Sequence, residues 1–252
     1  MSEVEVIRAG ALEGIAHGFL GRRGGVSTGI LAGLNVGSGS GDDPHAIARN
    51  IRLACDAVLP GAALARVYQV HSARAVIAEP WPLDERPRAD ALVTDRPGLL
   101  LGIVTADCAP VLLADRAAGV IGVAHAGWRG ASDGVTDSAI EAMERLGARR
   151  ERIVAVVGPC IAQASYEVDH AFRERFLAAD AANARFFADR PTPHFDLQGF
   201  VLARLAAAGI AAATGLDLDT YGDDERFFSY RRATHRGEPD YGRQFALIGL
   251  PA

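Results

Sequence analysis

Six β-type runs follow one another between residues 65 and 125 with no helical segment among them: "ARVYQV", "ARAVIAE", "DALVTD", "LLLGIVT", "PVLLAD" and "GVIGVAH". Each is rich in β-branched and aliphatic residues and is bounded by Gly, Pro or Asp. A regular βαβ array would set a crossover helix between successive strands, and none is available here. The pattern predicts an α/β fold of mixed β-sheets flanked by helices. "IAHGFL" before these runs and "RIVAVVG" and "QFALIGL" after them add strands.

Four helices are expected around the sheets. In "DDPHAIARNIRLACDAVL" Asp42 or Asp43 caps, Pro44 suits the first turn, and Ile47, Ile51, Cys55 and Val58 share a face. "SDGVTDSAIEAMERLG" has Ser132 or Asp133 to cap it and Gly147 to stop it. "EVDHAFRERFLAAD" and "DLQGFVLARLAAAG" are the others. Composition does not shift across the Pro-rich connection "EPWPLDERPRAD", so residues 1–252 are taken as one domain. The Gly-rich "GRRGGVSTGILAGLNVGSGSGDDP" lacks the dinucleotide fingerprint spacing and reads as a long loop, a kind often functional when ordered.

Charge and residue usage exclude several classes. Net charge is −5 with no basic run, which argues against a general nucleic-acid or membrane-surface binder. The acidic start "MSEVEVIRAG" has no signal-peptide core and no run is apolar enough to span a bilayer, so a cytoplasmic protein is expected. The 26 basic residues are all arginine, which removes Schiff-base, pyridoxal-phosphate and P-loop lysine chemistry. The three cysteines, Cys55, Cys108 and Cys160, do not make a disulfide framework.

Three residues share a local setting, the end of a β-type run followed by small or turn residues. They are His71 in "VYQVHSA", Cys108 in "VTADCAP" and His125 in "GVAHAGW". Strands ending together would bring them to one rim of a sheet. Two imidazoles and a thiolate suit Zn²⁺, and three protein ligands leave a fourth position for water or substrate. The competing reading is packing: two satisfied histidines at strand ends and a buried thiol.

At these motifs the chain resembles the family known as multicopper polyphenol oxidoreductases or laccase-domain proteins, whose fold is similar to that of some cysteine hydrolases. The resemblance is carried by "RRGGVS", "LNVG", "QVHS", "RADALVTDRPG", "TADCAPVLL", "HAGWRG", "GPCIAQASYEV" and "FFSYRR", along nearly the whole length. It implies one zinc per chain held by His71, Cys108 and His125. It implies phosphorolysis of purine nucleosides (adenosine, inosine, guanosine, methylthioadenosine), with adenosine deamination as a second activity. Zinc lowers the pKa of a bound water to about 7, which suits attack at purine C6. Phosphate would call for cationic partners, for which Arg22, Arg52 and Arg129 are candidates. Asp107 is a candidate general base or partner of a ligand histidine, with strand-end capping as its alternative. Asn35 is either a substrate contact or a turn residue. Asp219, Ala233 and Ile51 stand where the family often has a cysteine, an acid and an arginine.

The oxidase in the family's name fits the residues poorly. Blue-copper and trinuclear centres need more histidines than the seven present, and an axial methionine has only Met1 and Met143 to draw on. Copper is therefore disfavoured. Besides a laccase-like polyphenol oxidase, a metal-free hydrolase with Cys108 as nucleophile and a cell-wall precursor editing protein remain as alternatives.

Overall fold

A computed structural model of the chain, describing residues 3–82, 84–188 and 190–252, lays two sheets face to face. In chain order the strands are β1 (Val6–Ile7), β2 (Ala16–Leu20), β3 (Ala63–Arg66), β4 (Ala75–Ile77), β5 (Ala91–Thr94), β6 (Leu99–Thr105) and β7 (Ala109–Asp115). They continue with β8 (Val120–Ala126), β9 (Val154–Val157), β10 (Phe187–Ala188), β11 (His194–Phe195), β12 (Ala212–Gly215) and β13 (Gln244–Gly249). The helices are α1 (Pro44–Val58), α2 (Trp128–Asp133), α3 (Val135–Arg145), α4 (His170–Ala179), α5 (Leu197–Ala207) and α6 (Tyr230–His235).

One sheet has the order β1-β2-β13-β6-β3 and the other β12-β9-β7-β8-β5-β4, while β10 and β11 pair separately. Parallel pairs (β3 with β6, β4 with β5, β9 with β12) sit among antiparallel ones, so both large sheets are mixed, as the helix-free run predicts. The period-2 alternation of the central strands assigns each residue to a core. Leu101 and Ile103 of β6 meet Leu112 of β7 and Ile121 and Val123 of β8 between the sheets. Leu100 and Val104 face the other way, onto Ala54 and Val58 of α1. Val111 and Leu113 of β7 pack on Ile140 and Met143 of α3 and on Phe200 of α5. The layers are therefore helix, sheet, sheet, helix. Strands covered on both faces need apolar residues at nearly every position, which is why β5 to β8 read as continuous hydrophobic runs.

Two helices differ from expectation in detail. Asp43 caps α1, accepting from the His45 amide at 2.9 Å with Pro44 at the first position. Its buried face, however, is Ile47, Asn50, Ala54 and Val58, and Cys55 is only half-buried. Asn50 earns its burial by accepting from the Val26 amide and donating to Ser27, Gly33 and Asn35, so it pins the Gly-rich loop to α1. Helix begins at Trp128, upstream of the expected cap; Ser132 and Asp133 lie inside α2, and Gly134, at φ 96, breaks it from α3. The Pro-rich connection is irregular, and Leu83 within it lies outside the described residues. No helix among the described residues is long and apolar enough to cross a membrane.

Candidate active site

β6 belongs to one sheet and β7 to the other, so residues 106–108 carry the chain across the seam between them. That crossing is tight enough to need a left-handed residue, and Asp107 takes it, at φ 87. The turn delivers Cys108 immediately before β7. In the antiparallel register of β7 and β8, Ala109 faces Ala126 and Pro110 faces His125, which sets Cys108 opposite Gly127. Strand ends thus place Cys108 and His125 on one rim, as expected. His71 arrives differently. β3 stops at Arg66, and His71 sits five residues on in an irregular loop, at φ 58. The "VYQVHSA" stretch is not a strand up to the histidine, because its backbone is held by side chains instead of a neighbouring strand.

Two side chains supply that hold. Gln69 pairs with the backbone of Val104 in both directions at 2.8 Å, doing for the loop what a strand neighbour would do. Asp90, at the start of β5 and fully buried, accepts from the amides of Val70, His71 and Ser72, from the Ser72 hydroxyl at 2.8 Å and from Nδ1 of His125 at 2.9 Å. Burial alone would raise its pKa. The hydrogen bonds from His125 and the Ser72 amide outweigh it and hold the carboxyl down at about 2. With Nδ1 engaged, His125 has Nε2 as its ligand atom, and one carboxylate thereby fixes both histidines. Asp90 has no role in the sequence analysis, although an acid entering the apolar run of "RADALVTDRPG" is a signal for it.

His71, Cys108 and His125 have their ligand atoms within 4.8 Å of one another, with Cys108 Sγ 3.9 Å from His71 Nε2. They form the one such group of three or more His, Cys, Asp or Glu among the described residues. A tetrahedral zinc with bonds of about 2.3 Å to sulfur and 2.0–2.1 Å to nitrogen separates its ligands by roughly 3.3–3.6 Å. The three atoms are slightly wider than that, so modest rotamer adjustment closes them on an ion. Burial pushes the Cys108 thiol up, but the charge and hydrogen bond of His125 and the hydrogen bond from His71 outweigh it, to about 6. Burial pushes His125 down, yet Cys108 and Asp90 raise it to about 9. The pair rests as thiolate and imidazolium, with the sulfur already in its metal-binding form.

Two clefts meet at the trio, both reaching His71, Ala106 and Cys108. The larger, about 380 Å³, is polar, lined by Gly37, Ser38 and Gly39 of the Gly-rich loop together with Arg86 and Arg243. The smaller, about 270 Å³, is walled by Trp128, Ile161, Tyr166, Leu197 and Tyr230. The other sequence candidates fall mostly outside them. Asp107 lines the smaller cleft, but its carboxylate accepts from Thr220, Ser229 and the Arg231 amide, none of them a metal-ligand candidate. Burial raises its pKa against those three bonds. Asn35 is fully buried beneath the larger cleft, donating to Ser40 and Asp42 and accepting from the Gly37 and Arg243 amides. Arg22 spends its guanidinium on the carbonyls of Ala32 and Asp224 and lines a separate 190 Å³ cavity. Arg52 is exposed on α1, and Arg129 is exposed on α2 over the Trp128 ring. The structure does not bring these three arginines to the trio. It brings Arg86 and Arg243 there, residues that local sequence does not set apart from the other arginines.

The model of the family described as multi-copper polyphenol oxidoreductase laccase matches residues 16–251. Among curated relatives, a purine nucleoside phosphorylase of Deinococcus radiodurans is 43% identical over 241 residues, 94% of this chain and 90% of the relative. Purine nucleoside phosphorylase ORF3 of Streptomyces griseus is 42% identical over 229 residues, 89% and 92% of the two chains. Among solved structures, Neisseria meningitidis protein NMB0706 superposes with a TM-score of 0.88 at 32% identity, covering 99% of this chain and 100% of that one. YlmD from Geobacillus stearothermophilus does so at 0.85 and 26% identity, covering both chains entirely. The chain belongs to the multi-copper polyphenol oxidoreductase laccase family.

Proposed function

We propose that this protein is a zinc-dependent purine nucleoside phosphorylase whose centre is His71, Cys108 and His125. The observation that carries this is the position of the trio between a polar cleft and an aromatic one, backed by a buried carboxylate. The activity named for relatives more than 40% identical supports it. Atom balance is simple: a phosphate oxygen bonds to ribose C1′ as the C1′–N9 bond breaks. The bonding pair leaves with the purine, and the proton of monohydrogen phosphate ends on the purine nitrogen. Bound at the trio, zinc would supply Lewis-acid polarisation and an acidified water, which also fits deamination of adenosine as a second activity. Asp90 keeps both histidines aimed, and the aromatic walls exclude bulk water and offer a face for a base. With a thiolate and two imidazoles, zinc is favoured over copper because no methionine among the described residues stands at the trio to serve as the long axial ligand of a blue-copper site, Met143 of α3 being buried in the core. We place the reaction in the cytoplasm, which three unpaired cysteines favour.

The test is elemental analysis of purified protein alongside chromatography of adenosine and inosine incubated with and without phosphate. About one zinc per chain, with base and ribose 1-phosphate formed only with phosphate, is the expected result; inosine from adenosine would report deamination. Several coppers per chain, or no product, would overturn it. The thiolate–imidazolium pair also favours a second reading, a metal-free cysteine hydrolase. Rapid alkylation of Cys108 in protein as purified would favour that reading, because zinc shields its thiolate.

A further inference from the structure

We infer that Arg243 and the Gly37–Ser38–Gly39 loop form the seat of the attacking phosphate in the larger cleft, leaving the aromatic cleft to the purine. This rests on the phosphorylase reading, but its geometry stands separately. Nη1 of Arg243 is buried and has no hydrogen-bond partner among the described residues. A buried guanidinium N–H without an acceptor is costly, and such atoms are rare in folded proteins. Arg243 itself lines the larger cleft, so an incoming oxyanion would meet this guanidinium with a charge-assisted bond.

The guanidinium is also held in one orientation. Its Cζ lies 4.2 Å from the centre of the Tyr241 ring. Gly37 also packs against the arginine, and a Cβ there would stand 3.0 Å from both Cδ and Nη1 of Arg243. Any larger residue at 37 would displace the arginine. The carboxamide oxygen of Asn35 accepts from the amides of Gly37 and Arg243, both at 3.0 Å, and the Val36 amide donates to the Arg243 carbonyl. Loop and arginine are therefore stitched into one unit, and buried Asn35 acts as their brace.

Charge points the same way. The protein carries a net −5, yet the described lining of this cleft contains Arg86 and Arg243 and no carboxylate, with the Cys108 thiolate paired to His125 at the trio. A cleft of that sign in an acidic protein concentrates anions. The aromatic cleft has Trp128, Tyr166 and the half-exposed Tyr230, surfaces on which a purine stacks. Displacement at C1′ needs nucleophile and leaving group on opposite sides of the carbon. Two clefts of these characters, meeting at the trio, give that arrangement.

The experiment compares zinc-loaded wild type with Arg243→Lys and Arg243→Met, varying phosphate at fixed inosine and inosine at fixed phosphate. Arg243→Met is expected to raise KM for phosphate roughly 30-fold, with KM for inosine changed less than about 3-fold and Arg243→Lys intermediate. In parallel, phosphate at constant ionic strength should raise the melting temperature of wild type and Arg243→Lys more than that of Arg243→Met. An unchanged phosphate KM, or an inosine KM that rises as much as the phosphate KM, overturns the assignment. If wild type forms no ribose 1-phosphate, the phosphorylase reading fails while the phosphate-dependent melting shift still decides the seat. Should Arg243→Met not fold, Arg243→Lys carries the comparison, because it keeps the charge and loses the fork.

Discussion

Replacing Gly127 by alanine adds a single methyl group whose nearest neighbours are two of the candidate metal ligands. Gly127 has φ −68 and ψ 163, extended backbone that any residue adopts, so the change carries no conformational penalty. An ideal Cβ there would stand 2.8 Å from Cys108 Sγ and 3.1 Å from His71 Cδ2. Non-bonded heavy atoms settle at about 3.5–4.0 Å, so the sulfur must retreat by roughly 0.7–1.2 Å. Ligand distances in a metal site tolerate about ±0.2 Å, several times less than that displacement. Zinc affinity should therefore fall at least about 10–100-fold, the range seen when a metal site's support is disturbed. The metal-free protein should melt within about 2–4 °C of wild type, since the change costs the fold no more than about 1 kcal/mol. Gly10→Ala, whose Cβ would meet nothing within 4 Å, is the matched control and should change neither quantity. Competition with a chromophoric chelator gives the affinity, and calorimetry of the apo-protein gives the stability. Wild-type zinc affinity in Gly127→Ala would mean that Cys108 and His71 do not close on an ion, and the site would have to be sought elsewhere.

Cys108→Ser should lose zinc and turnover while keeping its melting temperature, because a hydroxyl stays protonated near neutrality; His125→Ala should match it, and the double variant should cost little more, as measured by metal content and nucleoside cleavage. Cys160→Ala should keep both, since that thiol is 2% exposed and burial drives its pKa far up, leaving it protonated; loss of zinc there would refute the choice of thiol. Asp90→Asn should weaken zinc binding about 10–100-fold. Asp90 is held at about 2, below its unfolded value, so it stabilises the fold above about pH 4 and loses that contribution as pH falls through 2. The variant should therefore show a flatter acid limb in melting temperature against pH. For the metal itself, Cys108 is ionised above about pH 6 while His125 keeps its proton to about 9, so zinc affinity should climb roughly tenfold per pH unit between them and level off above. A flat profile across that window would show that His125 is not displaced from its proton by the ion.

Cys108 and His125 are legible because each stands at the end of a strand covered on both faces, where a thiol or imidazole stands out from Val, Leu and Ile. The layers were legible for the same reason: residues 90–126 alternate between cores with little interruption. His71 is marked by its place after a β-type run and by its motif, but the run is not all strand: "ARVYQV" has a strand's composition while its second half is held by Gln69 and Asp90. Asp90 itself was hidden because an acid before a strand usually marks a turn. β12, "AATG", has one β-branched residue, and α6 is six residues long, too short to show a period. Arg243 could not be told from the other arginines, because its distinction is an unpaired Nη1 and a neighbour, Gly37, that is 206 positions away.

Three non-glycine residues among those described have positive φ, and two of them are at the candidate centre: His71 belongs to it and Asp107 directly precedes Cys108. Such conformations cost about 1–3 kcal/mol each and persist only where surrounding groups over-determine them. Each is over-determined by a buried carboxylate. Asp90 gathers the three amides around His71, and Asp107 is itself the anchor, taking Thr220, Ser229 and the Arg231 amide. The second anchor ties the turn that presents Cys108 to α6, the helix that brings Tyr230 and Arg231 to the aromatic cleft. The ligand atoms are therefore gathered by the protein's own hydrogen bonds before any ion arrives, and the entropy of assembling them is spent during folding. Such an arrangement would suit the proposed metal centre, because an ion that had to organise its own ligands would have less of its binding energy left to fix an open coordination position.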